Sequence, residues 1–401
     1  MKSKWKIYQL SEVTEIVSGG TPKSEVLEYW DGDVLWITPK DMGQAKTIFV
    51  SNTSRTISRL GLQKSSAKLI PKNSVILSTR APIGHLIINV QEMATNQGCR
   101  GLIPKNNLDT KFLFYFLKSN IKLLNDLGTG TTFKELSRNA LEKIKIPVPP
   151  IEEQKRIVEI LDKAFEGIAQ AEANTRRNLI NARELFDSYL NQIFIQKKGD
   201  WETKTIADIS TKIEYGSSSK SAQYENNDSI PVLRMGNIQN GLINWNDLVY
   251  TDRKDEIEKY SLQYNDVLFN RTNSDIHVGK SGIYKGERPA IFAGYLIRIH
   301  YKKEEINPDF LNFYLNSSIA REYGSSVMSR SINQANINGT KLKSYPIYIP
   351  SLPMQNKIVD SLYKLKNQAK KLETIYQRKL EAIAELKQSI LEKAFTGQLS
   401  Q

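Results

Sequence analysis

Residues 151–190 read IEEQKRIVEILDKAFEGIAQAEANTRRNLINARELFDSYL, and the spacing of their apolar side chains is the clearest structural signal in the chain. Residues 352–391 read LPMQNKIVDSLYKLKNQAKKLETIYQRKLEAIAELKQSIL, and each lies 201 positions after its counterpart. In both stretches, apolar side chains recur at alternating steps of four and three, which is typical of a coiled-coil seam. The predicted seam residues are Ile157, Leu161, Ile168, Leu185, Tyr189, Ile358, Leu362, Leu365, Leu372, Tyr376, Ile383, Leu386 and Ile390.

Two matching stripes in one chain predict that the two helices pair with each other. A helix of forty residues extends about 60 Å, and its apolar stripe must be buried against something. The first helix leads into the second half of the chain and the second helix comes last, so the pair is expected to be antiparallel. A homodimeric zipper is the alternative, but a matched partner already exists within the chain.

The segments outside the helices are also repeated. Short apolar runs bounded by Pro, Asn and Gly predict strands, and a proline cluster before each long helix ends each globular part. Three further segment pairs show the repeat: WKIYQLSEV (5–13) with WETKTIADI (201–209), WITPKDM (36–42) with VLRMGNI (232–238), and KFLFYFLKS (111–119) with DFLNFYLNS (309–317).

The sequence therefore predicts an α+β protein with an internal two-fold repeat. Two mixed α/β domains are separated by two long helices that form an intramolecular antiparallel coiled coil. The predicted boundaries are 1–150 for the first domain, 151–196 for the first spacer helix, 197–350 for the second domain and 351–401 for the second spacer helix.

Composition favours a polyanionic partner. The 401 residues carry a net charge of +13, and residues 1–150 alone carry +9, against +2 for residues 197–350. Basic side chains bind nucleic acid by displacing condensed counterions. The single Cys99 excludes an internal disulfide, and His85, His277 and His300 lack metal-ligand spacing. No signal peptide or membrane-spanning apolar run is evident, which predicts a cytoplasmic protein without a membrane or metal site.

Candidate DNA contacts lie at the ends of strand-like runs. Arg and Asn can form paired hydrogen bonds with guanine and adenine edges, whereas Lys and Thr suit phosphates. The candidates in the first domain are Thr38, Lys40, Arg55, Arg59, Ser78, Thr79, Arg80, Lys134 and Arg138. Those in the second domain are Arg234, Asn237, Asn270, Arg271, Thr272, Asn273 and Lys280.

Motifs for catalysis are weak. Residues 307–310, NPDF, resemble an amino-methyltransferase signature but fit a capped helix start better. Residues 128–133, GTGTTF, lack the third glycine of a dinucleotide fingerprint and predict a flexible loop. No Walker A lysine motif, S-adenosylmethionine-binding turn or nuclease cluster stands out, so no catalytic residue is predicted.

Four blocks resemble the hallmark segments of type I restriction–modification specificity subunits. The second copy departs from the pattern in two places. It has SRSINQANI at 329–337 where the first copy has TTFKELS, and MQNK where the first copy has EEQK. The blocks are SVILSTRAPIG (74–84), ATNQG (94–98), GTTFKELSRNALEKIKIPVPPIEEQKRIVEIL (130–161) and LEKAFTGQL (391–399).

The resemblance implies a non-catalytic, DNA-binding subunit. Each target-recognition domain would read one half of a bipartite sequence in double-stranded DNA, and the coiled coil would fix the half-site spacing. Two modification subunits and, through the complex, restriction (motor-nuclease) subunits are the implied partners. The chain itself needs no cofactor; S-adenosylmethionine, ATP and Mg are expected on the partners.

Two other classes remain open at this stage. A methyltransferase acting alone would methylate DNA without partners, and the missing cofactor turn disfavours it. A coiled-coil scaffold for protein partners would bind DNA without sequence preference, or not at all.

Overall fold

The computed structural model describes residues 5–130, 134–196, 201–223, 225–332 and 334–399. The chain divides into two compact units, unit 1 (Met1–Thr175 with Arg378–Gln401) and unit 2 (Arg176–Gln377). Each unit joins one globular part to one half of each long helix. Residues 131–133 of the loop predicted at 128–133 lie outside the described residues.

Unit 1 is a mixed α/β structure that ends in the first long helix. Its elements are β1 (Lys6–Gln9), α1 (Leu10–Val13), β2 (Thr14–Ser18), β3 (Trp30–Ile37), α2 (Pro39–Gln44), β4 (Phe49–Val50), β5 (Arg55–Ile57), α3 (Arg59–Gln63), β6 (Val75–Thr79), β7 (Ile83–Asn89), β8 (Ala94–Thr95), β9 (Cys99–Pro104), α4 (Thr110–Ser119), α5 (Ile121–Asp126), α6 (Arg138–Glu142), β10 (Lys145–Val148) and α7 (Ile151–Gln196). A 3₁₀ turn spans Leu27–Tyr29.

Unit 2 repeats this plan and ends in the second long helix. Its elements are β11 (Glu202–Thr205), α8 (Ile206–Ile209), β12 (Ser210–Tyr215), β13 (Ile230–Leu233), β14 (Ile238–Gln239), β15 (Gly241–Ile243), β16 (Val249–Thr251), α9 (Lys254–Tyr260), β17 (Val267–Asn270), β18 (Thr272–Asn273), β19 (Ser281–Ile283), β20 (Ile291–Phe292), β21 (Leu296–Tyr301), α10 (Pro308–Asn316), α11 (Ser318–Val327), β22 (Ser329–Ser331), β23 (Gln334–Asn336), α12 (Gly339–Lys343), β24 (Pro346–Ile349) and α13 (Leu352–Phe395). A 3₁₀ turn spans Met235–Asn237.

The sheet orders of the two units correspond, although unit 2 has an extra edge strand, β14, and an additional sheet β18-β23-β22. Unit 1 has a sheet β2-β9-β6-β7-β4 and a sheet β5-β3-β8; unit 2 has β12-β21-β17-β19-β15-β14 and β16-β13-β20. The first and last strands of each globular part pair antiparallel, as β1 with β10 and as β11 with β24. The internal repeat predicted from the sequence is therefore confirmed in the topology.

One buried helix organises the main core of each unit. In unit 1, α4 buries Phe112 and Phe116 among strand residues and against Leu391 of α13. In unit 2, α10 buries Phe310 and Tyr314 in the same way, against Phe194 of α7. The long helices are thus part of the domain cores as well as of the spacer, because their ends supply core residues.

Within each unit the long helices run antiparallel. In unit 1, Arg156 near the start of α7 donates to the backbone oxygen of Leu399 at 3.0 Å, and Glu172 further along pairs with Lys387. In unit 2, Arg183 lies 3.6 Å from Glu373, and Phe186, later in α7, packs under Lys366, which comes earlier in α13. The antiparallel coiled coil expected from the stripes is present as two local pairings, one in each unit.

The predicted heptad register is wrong towards the end of each stripe. Leu185, Tyr189 and Leu386 are exposed, and the buried positions there are Leu190 and Leu391, with Phe186 and Lys387 partly buried. A straight helix has 3.6 residues per turn, so a strict seven-residue pattern drifts by about 20° per heptad. The other predicted seam residues are buried or partly buried.

Candidate nucleic-acid interface

Three turns of unit 1 converge on one open cleft of about 420 Å³, here called the first cleft. They are the turn between β3 and α2, the turn after β6, and the turn between β8 and β9. Predicted residues Thr38, Lys40 and Arg80 come together here, although they are distant in sequence. The lining is Thr38, Pro39, Lys40, Arg80, Ala81, Asn96, Gln97 and Gly98.

A capping box fixes the first of these turns. Thr38 caps α2, its backbone N–H donates to Asp41 Oδ2 at 2.9 Å, and its hydroxyl donates to the same oxygen at 2.6 Å. Burial alone would raise the pKa of Asp41, but hydrogen bonds from Ser54 and Thr38 outweigh it and lower the pKa. Asp41 is therefore an ionised cap, while the neighbouring Lys40 is exposed.

Ser78 and Thr79 do not face the cleft. Both are fully buried, and the Ser78 hydroxyl donates to Pro82 O at 2.7 Å and accepts from His85 N at 2.8 Å. The prediction that they contact DNA is wrong, because they close the turn after β6. Their role is to place Arg80, which follows them and is exposed.

The remaining basic candidates of unit 1 do not line the first cleft. Arg55 stacks over Trp30, with its Cζ 3.7 Å from the ring centroid. Arg59 pairs with Asp33 at 3.0 Å, and both side chains are largely exposed. Arg138 pairs with Glu142 at 2.7 Å, and Lys134 is exposed at the start of the same segment.

That segment lies beside the first cleft. The backbones of Glu135 and Arg80 form an isolated antiparallel β-bridge. The N–H of Leu136 donates to Thr79 O at 2.9 Å. Lys134 and Arg138 are therefore flanking cations, whereas Arg55 and Arg59 belong to the separate β5–α3 edge.

A second, larger cleft of about 880 Å³ lies in unit 2, here called the second cleft. It brings together Arg234 and Arg271, the counterparts by topology of Thr38 and Arg80. The lining is Tyr215, Gly216, Ser217, Ser218, Ser219, Lys220, Ser221, Gln223, Arg234, Val249, Arg271, Thr272, Ala293, Gly294, Tyr295 and Asn336.

Arg271 is held in a defined direction. Its Nη1 donates to Gly294 O at 3.1 Å, and its Cζ lies 4.9 Å from the ring centroid of Tyr215. The hydroxyl of Tyr215 in turn accepts from the N–H of Gly339 at 2.7 Å. A guanidinium stacked on a fixed ring keeps its remaining donors pre-oriented for a ligand.

Asn237 and Asn270 belong to the interior, so the prediction that they contact DNA is wrong. The amide of Asn237 accepts from Arg234 N at 2.8 Å and donates to Asn244 O and Asn246 O. Asn270 is fully buried in the central strand β17. The Nδ2 atom of Asn270 donates to Met235 O at 3.4 Å, so both amides make contacts inside the domain.

Three other candidates of unit 2 are placed differently from one another. Thr272 lines the second cleft and accepts a hydrogen bond from Asn336 Nδ2 at 2.7 Å. Asn273 is half-buried, and its Oδ1 accepts from Ser274 N at 2.8 Å. Lys280 lines a separate cavity that also contains Asp187 and Glu373, so grouping it with the cleft residues was wrong.

Sequence reasoning missed several lining residues. Asn96 and Gln97 of the ATNQG block line the first cleft, and Tyr215, Lys220, Tyr295 and Asn336 line the second. The signal for the first pair was available, since two amides in a short turn between strands are free to project. Nothing in the sequence marked the other four, because they come from three segments that are far apart in the chain.

The two clefts share an electrostatic character. Among the described lining residues, each cleft has cations and hydrogen-bonding side chains but no carboxylate. Acidic Glu214 of unit 2 lies outside the cleft lining and contacts Arg298 and His300, the latter at 2.9 Å. Carboxylates do lie behind both linings, since Asp41 contacts Thr38 and Glu256 contacts Ser217. The charged side chains that line the clefts themselves are cations, which suits a polyanion.

The described residues contain neither a candidate metal site nor a membrane-spanning helix. Within the described ranges, no group of three or more His, Cys, Asp or Glu side chains could hold a metal ion. None of the described helices is long and apolar enough to span a bilayer.

Comparison with known proteins gives consistent matches. The family described as "Type I restriction modification DNA specificity domain" matches residues 2–182 and 198–382. The EcoKI specificity subunit of Escherichia coli is 27% identical over 428 aligned positions, covering 99% of this chain and 89% of that protein.

Two further matches extend the comparison. The MjaIX specificity subunit of Methanocaldococcus jannaschii is 32% identical over 257 residues, which are 59% of this chain and 59% of the length of that protein. The HsdS subunit of Thermoanaerobacter tengcongensis has the same fold in its crystal structure, with a TM-score of 0.64, 18% identity, and coverage of 99% of this chain and 98% of that one.

Proposed function

Because this chain belongs to the family of type I restriction–modification DNA specificity subunits, we propose that its two clefts read the two halves of one bipartite DNA target. Subunits of this family are non-catalytic and give the enzyme complex its DNA specificity. The finer assignment, one half-site to each cleft, rests on the geometry of the clefts.

The main support for the proposal is that the two clefts occupy equivalent positions in the two units. Each forms where the turn after β3 or β13 meets the turn after β6 or β17, and each presents cations without a carboxylate among its described lining residues. Phosphate contacts would position the duplex, and the amide and guanidinium groups would read base edges.

The side chains at equivalent places differ, which predicts two unlike half-sites. Thr38 of the first cleft corresponds to Arg234 of the second, and the second cleft adds the exposed rings of Tyr215 and Tyr295. Only Arg80 and Arg271 keep the same residue type. An asymmetric target follows, because the donor and acceptor patterns that the clefts present are not the same.

The long helices would set the number of unread base pairs between the half-sites. Helices with a continuous buried stripe are stiff, and a fixed separation of two readers selects a fixed half-site spacing, as dimer geometry does in other DNA-binding proteins. Exposed positions on α7 and α13 remain for two modification subunits, with restriction subunits joining through the complex.

Under this proposal the cofactors belong to the partners. S-adenosylmethionine would serve the modification subunits, and ATP with Mg²⁺ the motor-nuclease subunits. A role on chromosomal DNA would place the chain in the cytoplasm.

Methylation sequencing tests the proposal. The chain would be produced with its modification subunits in a methylation-free host, and the host genome read for modified adenine. We expect one bipartite, asymmetric motif with a fixed gap. A continuous motif would contradict the two-reader assignment, and methylation by the chain alone would identify a free-standing methyltransferase. Full assembly with no motif would indicate a scaffold.

A further inference from the structure

Beside the second cleft stands a β-hairpin made of β22 and β23, here called the wedge hairpin. Its register pairs Ser329 with Asn336 and Ser331 with Gln334. Strand β23 also pairs with β18, and the N–H of Ile337 donates to the backbone oxygen of Arg271 at 2.8 Å. The hairpin therefore lies beside β18, the strand that directly follows the cleft residue Arg271.

The wedge hairpin carries the apolar side chain of Ile332 after its first strand, whereas the exposed residues of that strand are polar. Ile332, at the turn, is 99% exposed, while Ser329, Arg330 and Ser331 of β22 are also exposed and Ala335 is fully buried at the base. Turns favour Gly, Asn and Asp for their backbone freedom and local hydrogen bonds. An isoleucine at this turn gains no burial from folding, so the fold does not explain it.

A second apolar side chain lies next to the hairpin. Ile276 is 76% exposed, and its neighbour Asp275 pairs with Arg330 at 3.0 Å. Arg321 donates to the backbone oxygens of Ile276 and Val278, which holds this loop in place. Two exposed isoleucines are thus carried on hydrogen-bonded backbone.

The charge around the hairpin favours DNA as its partner. Arg330 forms a solvent-exposed ion pair, which can exchange for a phosphate at little cost. Lys341 donates to Ser329 Oγ at 2.7 Å, which puts a second cation at the base of the hairpin. The edge of the hairpin is continuous with the second cleft through Thr272 and Asn336.

We propose that Ile332 is an apolar wedge that enters the base stack of the DNA half-site bound by the second cleft. The inference rests on the proposed function, and it adds a deformation of the duplex to the reading of base edges. Proteins that kink DNA insert such side chains between base steps, and the energy of unstacking depends on the step. Ile332 thereby contributes to sequence preference without a hydrogen bond.

The test uses the full chain with its modification subunits and a duplex carrying the motif found by methylation sequencing. A fluorescent 2-aminopurine replaces single bases of the second half-site, leaving out the adenine that is methylated. We expect emission to rise at one base step with the native chain. Ile332→Ser should abolish the rise and weaken binding about tenfold to hundredfold, since the lost apolar burial is worth about 1.5–3 kcal/mol.

Three further variants separate shape, charge and position. Ile332→Met keeps an apolar tip and should retain the emission change. Ile332→Lys adds a charge that attracts phosphate but cannot enter the stack, so it should behave like Ile332→Ser. Leu27→Ser replaces an equally apolar side chain that is 84% exposed in unit 1, and it should change nothing at this half-site.

Each contrary outcome has its own meaning. Selective binding with the same emission for native chain and Ile332→Ser would overturn the wedge and leave the proposed function standing. Weaker assembly of Ile332→Ser with modification subunits, measured by sedimentation without DNA, would assign the tip to a protein contact instead. Loss of sequence-selective binding by the native chain would overturn both proposals.

Discussion

The Oε1 atom of Gln154 accepts a hydrogen bond from the backbone N–H of Asp109 at 2.8 Å. The amide nitrogen of the same side chain donates to Asn107 O at 2.9 Å and to Pro149 O at 2.8 Å. Gln154 is fully buried in the first turn of α7, and Asp109 caps α4. One side chain therefore ties the long helix to the central helix of the domain.

Gln355 repeats this arrangement in unit 2. It accepts from Asn307 N at 2.8 Å and donates to Glu305 O and Pro350 O at 3.0 and 2.9 Å. Although the second copy reads MQNK where the first reads EEQK, the glutamine itself is present in both. The start of each long helix is thus fixed to its own domain by the same three hydrogen bonds.

Replacing either glutamine by leucine should destabilise its unit by about 3 kcal/mol or more. The change leaves one buried N–H and two carbonyl groups without partners, and each unsatisfied group costs about 1–3 kcal/mol. Chemical denaturation followed by circular dichroism would measure the loss. Gln192→Leu, on the exposed side of α7, is the control and should stay within about 0.5 kcal/mol.

Arg80→Ala and Arg271→Ala should each weaken DNA binding by about 1–3 kcal/mol. Each loss should be confined to one half-site, which binding to duplexes with a single half-site scrambled would reveal. Arg59→Ala removes an exposed, ion-paired arginine away from the first cleft and should have little effect. Equal losses for all three variants would indicate general charge attraction rather than reading by the clefts.

The register of the helix stripe can be tested by two leucines of α7. Leu190 is buried in the core of unit 2, whereas Leu185 is exposed. Leu190→Ala should cost about 2–5 kcal/mol because it leaves a cavity. Leu185→Ala should cost less than about 1 kcal/mol in the same denaturation experiment. A larger loss of stability for Leu185→Ala than for Leu190→Ala would support the strict heptad pattern predicted from the sequence.

Lowering the pH should reduce the stability of unit 2, because Glu214 becomes protonated. Burial alone would raise its pKa, but hydrogen bonds from Lys212, His300 and Arg298 outweigh burial and lower the pKa to about 2. A carboxylate whose folded-state pKa is depressed stabilises the fold above its ordinary value of 4.5, and that stabilisation is lost as the pH falls from there towards 2.

Glu214→Gln is the variant that checks this. It should destabilise the protein by about 1.5–3 kcal/mol at pH 7, because Arg298 loses one of its two carboxylate partners and keeps only Asp266, at 2.8 Å. It should also flatten the fall of the unfolding midpoint between pH 5 and pH 2. The acid sensitivity would have another origin if the native chain and the variant lost stability in parallel.

Inserting seven residues after Thr175 and after Gln377 should lengthen the gap between the half-sites. The insertion adds about 10 Å to each helix and turns the stripe by only about 20°. At about 3.4 Å per base pair, the gap should grow by about three base pairs while both half-sites persist. Methylation sequencing reads the result directly, and an unchanged gap would contradict the spacing role of the helices.

The repeat, the two long helices and their antiparallel pairing could be predicted from the sequence alone. These features follow from periodic patterns of apolar residues, which are local and visible in one dimension. The sequence also predicted Lys40, Arg80, Arg234 and Arg271 as exposed candidates, because charged side chains that follow strands are free to project. All four line the clefts.

Which polar residues face outward depends on contacts between distant segments, and the sequence did not reveal it. Ser78, Asn237 and Asn270 looked like contacts, but each is buried by turns whose closure depends on distant segments. Tyr215 and Asn336 reach the second cleft from strands far apart in the chain. The helix register also needed the structure, because the 3.6-residue turn and the domain cores together select which positions are buried.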